Sequence, residues 1–216
     1  MTGTVAPKRK RNLWVAVSVT LVSSVGVVVW QLWPASAPAV SVPDQVCGNT
    51  LPGNLAADLL PKSGSKYWED IGEEFGVPYT GPTPDCTIAA GDRELSVTYF
   101  QYLDLKRVKT IDKAVERVER EAEEPGSAPL RLGEARGYAS KRAAVLLLNC
   151  PTKGNPRIIE ASVHDVDRSA SAGSNTKAFA ELTAETLRLA ARDVYKCGGS
   201  PALPSGSPSL GRPRAE

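Results

Sequence analysis

The pattern of apolar and polar positions divides the chain into unequal parts. Leu13 to Trp33 is a run of 21 residues without a charge. As an α-helix it would extend about 31 Å, close to the hydrocarbon thickness of a bilayer. Trp14 stands near one end of the run and Trp30 and Trp33 near the other, the interfacial positions that tryptophan prefers. A transmembrane helix over 13–33 is expected. Residues 34–46, rich in Pro, Ala, Ser and Val, read as an extended tether. A folded domain over 47–197 follows. The Gly/Pro/Ser-rich tail, 198–216, has almost no large apolar residue and is expected to be disordered.

Within 47–197 the periodicity alternates between helical and extended. Leu51 to Leu60 reads as a short helix stopped by Pro61, and Lys66 to Phe75 as a second, with Gly76 as its C-cap. Tyr79 to Asp85, with Gly81, Pro82 and Pro84, reads as a loop. Cys86–Ala90 and Glu94–Tyr102, joined by Gly91-Asp92, read as a β-hairpin. Ile111, Val115, Val118 and Ala122 recur at helical spacing, which predicts an amphipathic helix over 109–123, ended by Pro125-Gly126. Tyr138–Ser140 suggests a short strand, the apolar run Ala143–Cys150 a central one, and Arg157–His164 its neighbour. A last helix over 175–196 would bury Phe179, Leu182, Leu189 and Val194. Short connections between neighbouring strands imply a mostly antiparallel sheet. The expected fold class is α+β, with helices packed on one face of that sheet.

Charge changes the picture at the N-terminus. Residues 1–12 carry the run Lys8-Arg9-Lys10-Arg11, whereas every acidic residue lies at Asp44 or later. Basic residues flanking a span stay cytoplasmic, so 1–12 should be a cytoplasmic tail and the C-terminal domain extracytoplasmic. The competing reading is a cleaved signal peptide. Ala35-Ser36-Ala37 and Ala37-Pro38-Ala39 offer small-x-small spacing, and the protein would then be secreted after a cut near residue 39. Pro38 directly after the first site and an apolar run longer than a signal core favour the anchor. Beyond residue 12 there are 22 basic and 24 acidic residues, interspersed, which argues against a nucleic-acid partner.

The four cysteines, Cys47, Cys86, Cys150 and Cys197, are dispersed, with no CxxC pair to pre-place metal ligands. In an exported domain they read as two disulfides. Three connectivities are possible. Cys47–Cys86 with Cys150–Cys197 is preferred, since each bond ties the start of one half to a nearby element. Each would contribute about 3–4 kcal/mol in the chain-entropy model.

Catalytic signals are weak. His164 is the only histidine, and no Gly-x-Ser-x-Gly elbow accompanies it. His164-Asp165-x-Asp167 is a thin metal motif and reads as a solvated strand end. The carboxylates Glu69, Asp70, Glu73 and Glu74 read as a solvated helix face. No catalytic residue, cofactor or metal ligand is assigned. Trp68, Tyr99 and Tyr102 are the candidates for an aromatic-lined ligand groove.

Cys47-Gly48 opening a Leu-rich segment (Leu51, Leu55, Leu59, Leu60), Pro84-Asp85-Cys86-Thr87, Leu148-Asn149-Cys150 and the closing stretch Leu187 to Cys197 resemble small cell-envelope proteins and lipoproteins of actinobacteria. They also resemble the two-disulfide extracellular sensor domains of receptor Ser/Thr kinases in those bacteria. The resemblance covers about 47–197 and implies an α+β domain that binds an envelope ligand. Two features depart from it: no lipidation cysteine is present, and residues 1–12 leave no room for a kinase domain. The expected function is a non-enzymatic envelope interaction or regulatory protein held by the membrane, with another envelope protein as partner. The alternative is a small-molecule or glycan-binding sensor-like domain.

Overall fold

A computed structural model describes residues 37–72, 75–77, 83–103, 110–151, 156–166, 175–197 and 203–215. The chain divides into two compact units, Met1–Ala37 and Pro38–Glu216, and the elements that follow belong to the second. The expected span over 13–33 lies outside the described residues. Among the described residues no helix is long and apolar enough to cross a membrane.

Strands β1 (Gln45–Val46) and β2 (Leu51–Pro52) form a small antiparallel ladder that leads into a short helix, α1 (Gly53–Ala57). The remaining strands are β3 (Trp68–Ile71), β4 (Asp85–Ala90), β5 (Arg93–Leu103), β6 (Ala128–Leu132), β7 (Ala135–Ala139), β8 (Ala143–Asn149), β9 (Arg157–Asp165) and β10 (Ser209–Leu210). Helix α2 (Thr110–Ala122) lies between β5 and β6 in sequence. Helix α3 (Thr176–Leu189) follows β9 and continues into a π-helical turn, Ala190–Val194. The main sheet has the order β10-β6-β7-β8-β9-β5-β4-β3, and its described pairings are all antiparallel. The α+β class, the antiparallel sheet and both disulfides are as the sequence implied.

The helices do not share one face of the sheet. In β8, Ala144, Leu146 and Leu148 point into the main core with α3, whereas Val145 and Leu147 join Val118 of α2 and Tyr138 in a second cluster. Successive strand residues point to opposite faces, so α2 and α3 cover opposite sides. The apolar run of β8 is what such two-sided cover requires. Helix α3 is buried over most of its surface because β2 and α1 lie across it from the sheet. Its first turn is capped by Asn175, whose Oδ1 accepts the Ala178 N–H at 3.0 Å.

Three other expectations are corrected. The segment expected to be helical over Lys66–Phe75 contains an edge strand, β3. Its Glu69 carboxylate accepts the Cys47 N–H at 2.8 Å and the Tyr67 hydroxyl at 2.7 Å. Cys47, Gly48 and Asn49 all have positive φ, and this turns successive amides towards one side as an anion-accepting nest, which Glu69 fills. The tether also docks within its described part. Val40 N–H donates to Lys62 O, Ala39 bridges Ser63, and Val40 and Val42 pack on the core. Over 203–215 the tail is ordered rather than free: β10 pairs with β6, and Arg188 donates to the carbonyls of Pro204 and Gly206. Much of this docking uses backbone groups, with Val40, Val42 and Leu203 adding apolar contacts to the core.

The disulfides join Cys47 to Cys86 and Cys150 to Cys197, with Cα separations of 5.6 and 5.1 Å. The first ties the nest to β4. The second ties the end of β8 to the end of the last helix. Beside it, buried Arg157 donates to Cys150 O and Tyr195 O, both at 3.1 Å.

A candidate binding cleft between helix α2 and the sheet

Helix α2 is held to the sheet along one side by polar contacts. Arg117 donates to Glu160 of β9 and, at 3.3 Å, to the Tyr102 hydroxyl. Tyr102 donates in turn to Glu160 at 2.9 Å. Burial, reinforced by the Glu160 charge, pushes the Tyr102 phenol up to about 12. Burial acts to lower the Arg117 pKa, but Glu160, Tyr102 and Glu121 outweigh it and hold the guanidinium above its ordinary value. Burial and a hydrogen bond to Glu121 raise the Tyr138 phenol.

The apolar stripe of α2 packs on the sheet through Val118, Val145 and Leu147, and beside that contact a cleft of about 400 Å³ remains. Val115, Val118 and Ala122 form its helix wall, at the i, i+3, i+7 spacing that puts them on one stripe. Leu147 and Ile158 form its floor. The rim is charged and polar, with Glu119 on α2, Arg131 on β6, Glu134 in the β6–β7 turn, Arg136 on β7 and Asn149 at the end of β8. Gly137 keeps this end of the sheet tight, since a Cβ there would lie 1.7 Å from Val145 O. Arg131 and Arg136 are directly opposite in the β6–β7 register. A second, more polar depression of about 380 Å³ lies against the C-terminal end of α2, between Glu121, Glu124 and Tyr138.

The three aromatic candidates do not meet. Tyr99 is 1% exposed on the α3 face, its ring 5.1 Å from Phe75 and 6.0 Å from Tyr195 by centroid, and its oxygen accepts the Gly76 N–H. Tyr102 lies on the α2 face and meets Phe100 edge-on at 4.9 Å. Trp68, 47% exposed, is on edge strand β3, in register with Ala89 and, through it, Glu94. Tyr102 lies eight positions beyond Glu94 along β5, on the order of 25 Å. Strand alternation put Tyr99 and Tyr102 on opposite faces, which their odd spacing could have signalled.

His164 and Asp165 are likewise on opposite faces. His164 is exposed across from Ser96, whereas Asp165 is buried and paired with Arg93. No hydrogen bond links His164 to a serine or a carboxylate among the described residues. No group of three metal-ligating side chains occurs among them either. Asp167 lies outside the described residues.

Arg131 and Arg136 were not singled out from the sequence. The signal was there: Leu130 to Arg136 places two arginines symmetrically about Gly133-Glu134. Pro129 lies inside β6, and a proline within a short run weakens its strand pattern. Comparison with protein-family models, curated proteins and solved structures gives no match.

Proposed function

We propose that this protein is a non-enzymatic, membrane-tethered binding domain facing the extracytoplasmic side, and that its working surface is the cleft between α2 and the sheet. The cleft carries the reading. It combines an apolar floor and wall with a few polar groups converging on one rim, the usual build of a small-ligand site, at a usual volume. That size favours a small envelope ligand over a broad protein interface. Two disulfides and no free cysteine among the described residues are consistent with an oxidising compartment. Lys8 to Arg11 and the apolar run over 13–33 supply the anchor and its orientation.

Native mass spectrometry of the full chain, extracted gently from its host membrane, tests this. The wild type should carry a recurring small adduct that is missing from Ala122→Trp, whose indole would fill the cleft. A bare protein, or an adduct equally present in both, would overturn the cleft as the working surface. The mass also reports whether residues 1–37 remain attached.

A further inference from the structure

Arg131 and Arg136 face each other across neighbouring strands, on the side of the sheet that α2 covers. Like charges directly opposite in an antiparallel pair are destabilising. Neither guanidinium has an ion pair or hydrogen bond among the described residues. Glu119 and Glu134 share the rim but pair with neither arginine there. Two planar, donor-rich side chains from directly opposed strand positions thus line the same apolar cleft, an arrangement suited to gripping one carboxylate or phosphate.

We propose that the cleft takes a single-chain anionic amphiphile, with its head clamped between Arg131 and Arg136 and its chain laid along Val115, Val118, Leu147 and Ile158. This rests on the cleft being the working surface. The clamp would convert a like-charge cross-strand pair into a bridged one. Glu119 and Glu134 balance the rim to near neutrality, so recognition comes from the paired guanidiniums rather than from a broad positive field. Dianionic or polyanionic heads are disfavoured by those two carboxylates, and the cleft's volume suits one chain rather than two.

The test is equilibrium dialysis of radiolabelled decanoate against the full chain in phosphatidylcholine nanodiscs, with binding to empty nanodiscs subtracted. Saturable binding is expected. Octanoate should bind roughly tenfold more weakly, since two methylenes are lost. Decanol, which has the chain but no charge, should bind at least about tenfold more weakly, as should decanoate to Arg131→Gln or Arg136→Gln. Both arginines are exposed, so these variants should fold; their unliganded melting temperature should hold or rise. Ala122→Trp should abolish binding by filling the chain site. Equal binding of decanol and decanoate, or unchanged decanoate binding in the Arg131→Gln/Arg136→Gln double variant, would overturn the proposal. If decanoate fails while the native adduct is still lost in Ala122→Trp, the cleft stands and the amphiphile falls. If that adduct fails too, both fall.

Discussion

Arg93 Nη2 lies 3.0 Å from Asp165 Oδ2, and both side chains are buried where β5 begins and β9 ends, beside α3. Arg93 also donates to Leu59 O and lies over the Phe179 ring, so it ties the N-terminal segment to the sheet and to α3. Asp165 Oδ1 has no hydrogen-bond partner among the described residues. Breaking a buried pair leaves an uncompensated charge, whereas removing both partners does not. Arg93→Met should therefore cost about 3–5 kcal/mol, and Arg93→Met/Asp165→Leu should recover most of that loss. Urea denaturation of the two variants and the wild type checks the ordering.

The loop at Cys47 is held twice, by the bond to Cys86 and by the Glu69 carboxylate. Glu69→Ala should cost about 1–3 kcal/mol, because it leaves the Cys47 N–H without its charged acceptor. Cys47→Ala/Cys86→Ala should cost about 3–4 kcal/mol. Both restrain the same left-handed turn, so the triple variant should lose less than the sum. A double-mutant cycle from denaturant midpoints measures that shortfall, and strict additivity would show that the two restraints act independently.

The features legible in the sequence were those that announce themselves through side chains. The β4–β5 hairpin was visible in its alternation and its Gly91 turn, α2 in its apolar stripe, and the disulfides in four dispersed cysteines. The run Ala143–Cys150 reads as a central strand, but nothing in the sequence says which helix covers which of its faces, so helices on a single face are the expectation there. Four residues of β3 were too few to show a period, and Trp68 and Ile71 are exposed there. The tail and the tether dock largely through carbonyls and amides, with only Val40, Val42 and Leu203 packed on the core, and composition does not reveal such pairing. The arginine pair needed a β6–β7 register that Pro129 concealed.

His164 should impose a weak acid sensitivity. Although the side chain is exposed, the neighbouring strands partly desolvate it and lower its pKa below the ordinary 6.5, and the Asp165 charge only partly offsets this. The unfolded chain then takes up the proton more readily than the folded one. Stability is therefore full above pH 6.5 and falls as pH drops from there towards the folded-state value. His164→Gln should flatten the melting-temperature profile in that window and leave it unchanged at pH 8. A wild-type profile that is already flat between pH 5 and 7 would remove the effect.

The tail should behave as a strap that seals the sheet edge. Leaving aside β10, β6 is the outermost strand on its side, and an unpaired edge is a template for association. Residues 203–215 close it through Gly211 N–H to Pro129 O at 2.8 Å, Arg214 N–H to Ser127 O at 2.9 Å and Gly126 N–H to Arg214 O at 3.2 Å. Arg188 holds the near end of the strap by donating to Pro204 O and Gly206 O. Arg188→Ala should thus speed hydrogen exchange at Gly126, Gly211 and Arg214, while the amides of β8 and β9 keep their protection. Deleting residues 203–216 should go further and expose the backbone of β6, which would give a concentration-dependent dimer in analytical ultracentrifugation. Replacing Arg131 by Pro in the deletion variant should suppress that dimer, since proline cannot donate to an incoming strand. A monomeric deletion variant would mean that β6 is protected by its own twist and charge, and that the strap serves the α3 side alone.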